Sequence, residues 1–153
     1  MSQTGERHNL QRFVDAQEPV YARVCAELRA GKKLTHWMWF IFPQVLGLGL
    51  SSISRKFAIA SLEEARAYLN HTILGARLRE CCMLVNLVEG RCARDIFGEP
   101  DDMKLRSSMT LFALATEDNL VFHGVLKKYF QGKMDRRTLE LLGMTEPGGG
   151  TSE

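Results

Sequence analysis

Three groups of residues have types and spacings that could do chemistry. His36 carries an imidazole, which can accept or donate a proton, next to two indoles in the chain, so it is the candidate catalytic acid or base. Trp37 and Trp39 could stack a base or a nicotinamide ring. The second group follows at Gln44, Gly47, Gly49 and Ser51, in the run Gly47-Leu48-Gly49-Leu50-Ser51-Ser52. Its backbone N–H groups could face a phosphate at the start of a turn. The third group is Lys104, Ser107 and Ser108, which share a helix face at i, i+3 and i+4 and could grip an anion. Each group also has a structural use. His36 can bond a carbonyl, the tryptophans can be core, and the glycines can serve a tight bend.

Other chemistries find less support. Cys25, Cys81, Cys82 and Cys92 form no C-x-x-C pair, so no metal site is expected and the thiols read as small hydrophobes. No G-x-S-x-G elbow occurs, and Asp15 with Glu18 reads as a solvated helix face. His71 and His123 read as surface or cap residues. Arg106 is expected to pair with Asp102 in the favourable acid-first order. Ser107, Ser108 and Thr110 lower helix propensity, so either close packing or a ligand must use them.

The elements that must position these groups are helices separated by Gly, Pro and cap residues. The first region runs from an Asn9 cap to Ala30, is broken by Pro19 and stops at Gly31. Thr35 is expected to cap an apolar helix that Pro43 ends, with His36 in its first turn. Gln44–Ser52 is a loop, and a turn follows around Ile53–Phe57. Ser61-Leu62-Glu63-Glu64 has the form of a capping box. A Thr72 cap should open a helix carrying the stripe Leu74, Leu78, Cys81, Cys82, Val85 and Val88. Arg91–Phe97, Pro100–Ala115, Asp118–Phe130 and a helix capped by Asp135 complete the series. No period-2 alternation competes, so the fold class is all-α: one bundle of about seven to eight short helices over 9–143. Flexible termini are expected at 1–8 and 144–153.

With 153 residues the chain can bury about 70% of its unfolded surface without staples. The net charge of +2 is too small for a clustered nucleic-acid footprint; such a reading would have to use Lys32, Lys33, Arg55 and Lys56. No stretch approaches the roughly 20 apolar residues of a membrane span and no signal-peptide core is present, so the expected location is the cytoplasm.

The quoted residues also carry a resemblance. The string His36-Trp37-Met38-Trp39-Phe40-Ile41-Phe42-Pro43-Gln44, with Gly47-Leu48-Gly49, Ile96-Phe97-Gly98 and Asp101-Asp102-x-Lys104-Leu105-x-Ser107-Ser108-Met109-Thr110, is similar to the bacterial domain-of-unknown-function family DUF1810. The similarity runs from about Phe13 to Leu142. It implies a mainly helical fold and no established activity. Members often carry the label calpastatin. Inhibitors of that name are disordered until bound, whereas a chain that is 45% hydrophobic, with dense caps and stripes, should fold alone.

The functional expectation is a pocket for a small phosphate-bearing or nucleotide-like ligand, formed by the His36 helix, the glycine loop and the Lys104 helix. Lys104 and Ser108 should then lie within about 8 Å of His36, the span of a small ligand. The alternative is a protein-interaction module using the Trp37–Phe42 or Val121–Phe130 surface. The residues fix neither a reaction, a cofactor nor an oligomeric state.

Overall fold

The computed structural model describes residues 8–144. Among them are ten helices: α1 (Gln11–Gln17), α2 (Tyr21–Ala30), α3 (Met38–Ile41), α4 (Ser52–Lys56), α5 (Leu62–Asn70), α6 (Thr72–Leu87), α7 (Ala93–Phe97), α8 (Asp101–Ala115), α9 (Leu120–Phe130) and α10 (Arg136–Leu141). The fold is all-α. The count exceeds the expected seven to eight because α3 and α4 are helices of a single turn. The expected flexible termini lie outside the described residues except for His8 and Met144. Met144 packs against the core, and its N–H donates to the Leu139 carbonyl at 2.9 Å.

α8 is the centre of the bundle and touches α5, α7, α9 and α10. Every residue from Ser107 to Ala113 is buried, so this helix has no solvent face along its middle. α6 packs on α2, α5 and α9 through the predicted stripe, with Leu74, Leu78, Cys81, Cys82 and Val85 all buried. Phe13, Tyr68, Phe112 and Phe122 form a chain of ring contacts across the core, with centroids 5.1–6.1 Å apart.

Several helix ends differ from expectation. Asn9 adopts a left-handed φ of 51°, and Leu10 occupies the cap position of α1 without a side-chain bond. His71, not Thr72, caps α6, its Nδ1 accepting from the N–H groups of Ile73 and Leu74. An imidazole reaches two orphan donors of the first turn, where a threonine hydroxyl commonly meets one. Asp135 caps α10 as read, accepting from Thr138 N at 2.9 Å. Ser61 caps α5, while Glu64 reaches one residue further back than a strict capping box, to Ala60 N at 2.7 Å.

The segment before α3 departs most. Thr35 caps nothing. Its hydroxyl and N–H both donate to Glu27, joined by Leu34 N and Trp37 Nε1, so one buried carboxylate gathers four donors. That knot turns the chain tightly, delays the helix to Met38 and leaves His36 exposed in a bend.

Candidate functional site

Residues 44–59 form a closed strap. Leu46 N donates to Ile59 O at 2.8 Å and Ile59 N to Gln44 O at 2.9 Å, an isolated parallel bridge that fixes both ends. Between them lie the glycine loop and α4. Arg12 anchors the returning limb from outside, donating to Lys56 O and Ala58 O and pairing with the buried Glu64 at 3.1 Å.

Beneath the strap is a cleft of about 250 Å³. The strap contributes Gln44, Val45, Leu48, Gly49, Ser54 and Phe57. α8 contributes Met103, Lys104 and Ser107, following Pro100; α3 contributes Trp39; α10 contributes Asp135 and Arg137. Lys104 Nζ sits 5.6 Å from the Trp39 ring centroid and 3.5 Å from Asp101 Oδ1. The other Asp101 oxygen holds Lys33 at 2.8 Å, and Lys33 lies over Trp37 at 5.1 Å. One carboxylate therefore serves two lysines. The shorter, more buried contact goes to Lys33, and the cleft-facing Lys104 is left with a loose pair and a surplus of positive charge.

The structure divides the sequence-derived candidates. Trp39, Gln44, Gly49, Lys104 and Ser107 meet in the cleft. His36 is exposed and does not line it. Trp37 is 1% exposed and its indole N–H is committed to Glu27, so its rings serve the core. Ser108 is fully buried on the far side of α8 from solvent, and its hydroxyl has no partner among the described residues. Of His36, Lys104 and Ser108, which were expected to border one cavity, Lys104 alone lines this cleft. Gly47 and Ser51 also lie off the lining. Ser51 caps α4, and Gly47, at φ 108°, passes within contact of Leu141.

The hydroxyl cluster on α8 also has an explanation. Ser107 donates back to Met103 O at 3.2 Å. Thr110 donates to Arg106 O at 2.9 Å and accepts Asp135 N at 2.8 Å, so it fixes the entry of α10 beside the cleft. Arg106 makes no pair with Asp102. Its guanidinium donates to the carbonyls of Lys133 and Met134, because the chain entering α10 presents acceptors there. The sequence reading missed Ser54, Phe57, Met103, Asp135 and Arg137. The Asp135 cap was visible, but nothing local to it signals that α10 packs against the start of α8.

Fold and cleft together define an all-α bundle in which a bridged strap roofs a mixed aromatic and cationic hollow. The family model described as "Protein of unknown function (DUF1810)" matches residues 7–142, and the chain belongs to that family. A crystal structure of a conserved hypothetical protein from Mycobacterium tuberculosis is similar to it, with 57% identity and a TM-score of 0.89 over 91% of this chain and 99% of that one. No curated protein matches. Neither the family description nor the structure's title carries the calpastatin label. Among the described residues no helix is long and apolar enough to cross a membrane, and no group of acidic, His and Cys side chains could hold a metal.

Proposed function

We propose that the protein binds a small anionic ligand, phosphate-bearing or nucleotide-like in the broad sense, in the cleft beneath the 44–59 strap, and does so in the cytoplasm. The observation that carries this reading is convergence. Trp39, Gln44, Gly49, Lys104 and Ser107 come from separate stretches of chain and line one hollow. Lys104 supplies the charge, since Asp101 is shared with Lys33. Trp39 supplies a half-exposed ring face. The amides of Gly49 and Leu50 donate to no acceptor among the described residues, so they remain available to an oxyanion. The reading is one of binding, since His36 stands apart from the cleft.

The protein-interaction alternative draws on Leu46, Leu50 and Ile53 of the strap and Met103 of α8, which are 38–78% exposed. It is weakened by the burial of Trp37 and Phe42, the aromatics that would anchor a partner.

A thermal-shift screen against nucleotides, sugar phosphates, nicotinamide nucleotides, and aryl phosphates and carboxylates tests the proposal. A ligand at 100 times its Kd adds about 2.7 kcal/mol of stability. The expected result is a shift for at least one anionic compound that Lys104→Met abolishes. Silence across the panel, or equal shifts in the variant, would refute it.

A further inference from the structure

The cleft's size and its fittings narrow the ligand further, and the narrowing rests on the binding reading above. About 250 Å³ lies below the roughly 300–1,000 Å³ range of pockets that enclose drug-sized molecules. The space suits a single ring with one substituent. Its walls are mostly apolar: Val45, Leu48 and Phe57 from the strap and Met103 from α8 face Trp39. Against them stand two loosely held cations, Lys104 and Arg137, the latter 3.5 Å from Glu140, and the Asp135 carboxylate, whose Oδ2 caps α10. Lys104 is held by an indole face at 5.6 Å, near the outer limit of a cation–π contact, and by a carboxylate at 3.5 Å, longer than a charged hydrogen bond. Its ammonium can therefore turn to a new anion without breaking a close bond. The half-buried Gln44 side chain lines the same space and has no protein partner among the described residues.

We infer that the ligand is a one-ring aromatic oxyanion, an aryl carboxylate or aryl phosphate. Its ring lies on Trp39 and its oxyanion on Lys104, while Gln44 orients ring substituents. A bare phosphate would leave the apolar wall wet. A whole nucleotide would leave its sugar or its base outside the strap.

Tryptophan emission tests the inference, since Trp39 is half-exposed while Trp37 is buried, so quenching reports on the cleft. The intact protein is titrated with phenyl phosphate, benzoate, benzyl alcohol, inorganic phosphate and adenosine monophosphate, and calorimetry follows the same additions. Phenyl phosphate or benzoate is expected to quench saturably with a Kd on the order of 100 μM, in keeping with the affinity per atom of small ligands. Benzyl alcohol and inorganic phosphate should bind at least tenfold more weakly. Lys104→Met should lose tenfold or more by calorimetry, with unchanged circular dichroism. Gln44→Leu should change the preference among ring-substituted benzoates. Whichever aryl anion binds more tightly identifies the oxyanion. Inorganic phosphate binding as well as phenyl phosphate overturns the aromatic part. Adenosine monophosphate binding tenfold more tightly than either overturns the one-ring part. If no aryl anion binds while the wider screen yields a ligand, this inference alone falls; if neither assay finds any ligand, the binding reading falls with it.

Discussion

Trp37 donates its indole N–H to Glu27 at 2.9 Å, and this contact ties the start of α3 to the end of α2. Glu27 is 7% exposed, at the C-terminal end of α2, and it also holds Leu34 N, Thr35 N and Thr35 Oγ1. The knot seats Trp37 in the core against Phe42 and Phe97. Two residues later the chain turns Trp39 outward. The buried indole and the half-exposed one thus have different tasks because a single carboxylate claims the first.

Removing that carboxylate should destabilise the fold strongly. Glu27→Ala leaves four donors without their acceptor, and we expect a loss of roughly 3 kcal/mol. For a chain of this length that corresponds to a melting temperature lower by about 10 °C. Glu27→Gln keeps one acceptor and should lose about half as much. Denaturant titration of the three proteins side by side measures the difference; equal midpoints would show that the knot is incidental.

The same residue makes stability depend on acid. Burial alone would raise the Glu27 pKa, but the hydrogen bonds from Leu34, Thr35 and Trp37 more than offset it and hold the carboxyl below its ordinary value. A carboxyl depressed in the folded state contributes stability above its unfolded pKa and loses it as pH falls through the folded one. Unfolding free energy should thus decline below the ordinary carboxylate range, and Glu27→Gln should flatten part of that decline. A wild-type and variant pair with parallel pH curves would contradict it.

Two glycines should respond differently to the same change. A Cβ on Gly49 would stand 2.5 Å from Ser54 Cβ, so the strap cannot close on α4 without moving. Gly49→Ala should cost about 1–2 kcal/mol, and Ser54→Gly should recover much of it in the double variant. A Cβ on Gly75 would stand 2.0 Å from the carbonyl oxygen of Leu69, where the end of α5 crosses the start of α6. Backbone cannot be trimmed, so Gly75→Ala should cost about 3 kcal/mol or more with no second-site relief in a side chain. A double-mutant cycle at 49 and 54 that came out additive would show that the strap yields elsewhere.

The helical stripes and most helix ends were legible because they depend on near neighbours. The Leu74–Val85 stripe, the Gly31 stop (φ 72°) and the Asp135 cap each follow from residues within one or two turns. The site was half legible for the same reason. Lys104 and Ser107 share a helix face and reach the cleft together, but Ser108, one position on, is fully buried and does not line it. Which face of α8 meets solvent is decided by α10 and the strap, more than 25 residues later and about 50 earlier in the chain. His36 stays out of the cleft lining for a longer-range reason: Glu27 captures Thr35, and the cap that would have placed the imidazole in a first turn never forms.

Ser108 offers a direct test of that division. Its Oγ is fully buried and without a partner among the described residues, whereas Thr110 nearby satisfies two bonds. An unpaired buried hydroxyl costs stability, so Ser108→Ala should be neutral or stabilising by up to about 1 kcal/mol. Thr110→Ala, or Thr110→Val, should destabilise by about 1–2 kcal/mol through the freed Asp135 N–H. Ligand affinity should be unchanged by Ser108→Ala. Weakened binding with unchanged stability would place the hydroxyl back in the site.

The four cysteines should separate by reactivity. Cys92 is exposed, while Cys25, Cys81 and Cys82 are buried. Ellman's reagent should therefore modify one thiol in the native protein and four after unfolding. Among the buried three, Cys25 should follow next. The neighbouring Cys81 thiol holds its thiol below the ordinary range against the opposing effect of burial, and Tyr21 assists. Cys81 is in turn pushed up by Cys25 and by burial, and burial pushes Cys82 up as well. Reaction follows the thiolate fraction, so an ordinary thiol speeds up about tenfold per pH unit below its pKa of roughly 8.5. A local fluctuation that bares Cys25 while α2 stays packed on α6 keeps that environment, so its labelling between pH 6.5 and 8 should rise much less steeply than that of Cys92, with Cys25→Ser removing the shallow phase. A tenfold rise per pH unit in that phase would show instead that labelling waits for α2 to leave α6 and Cys81 with it.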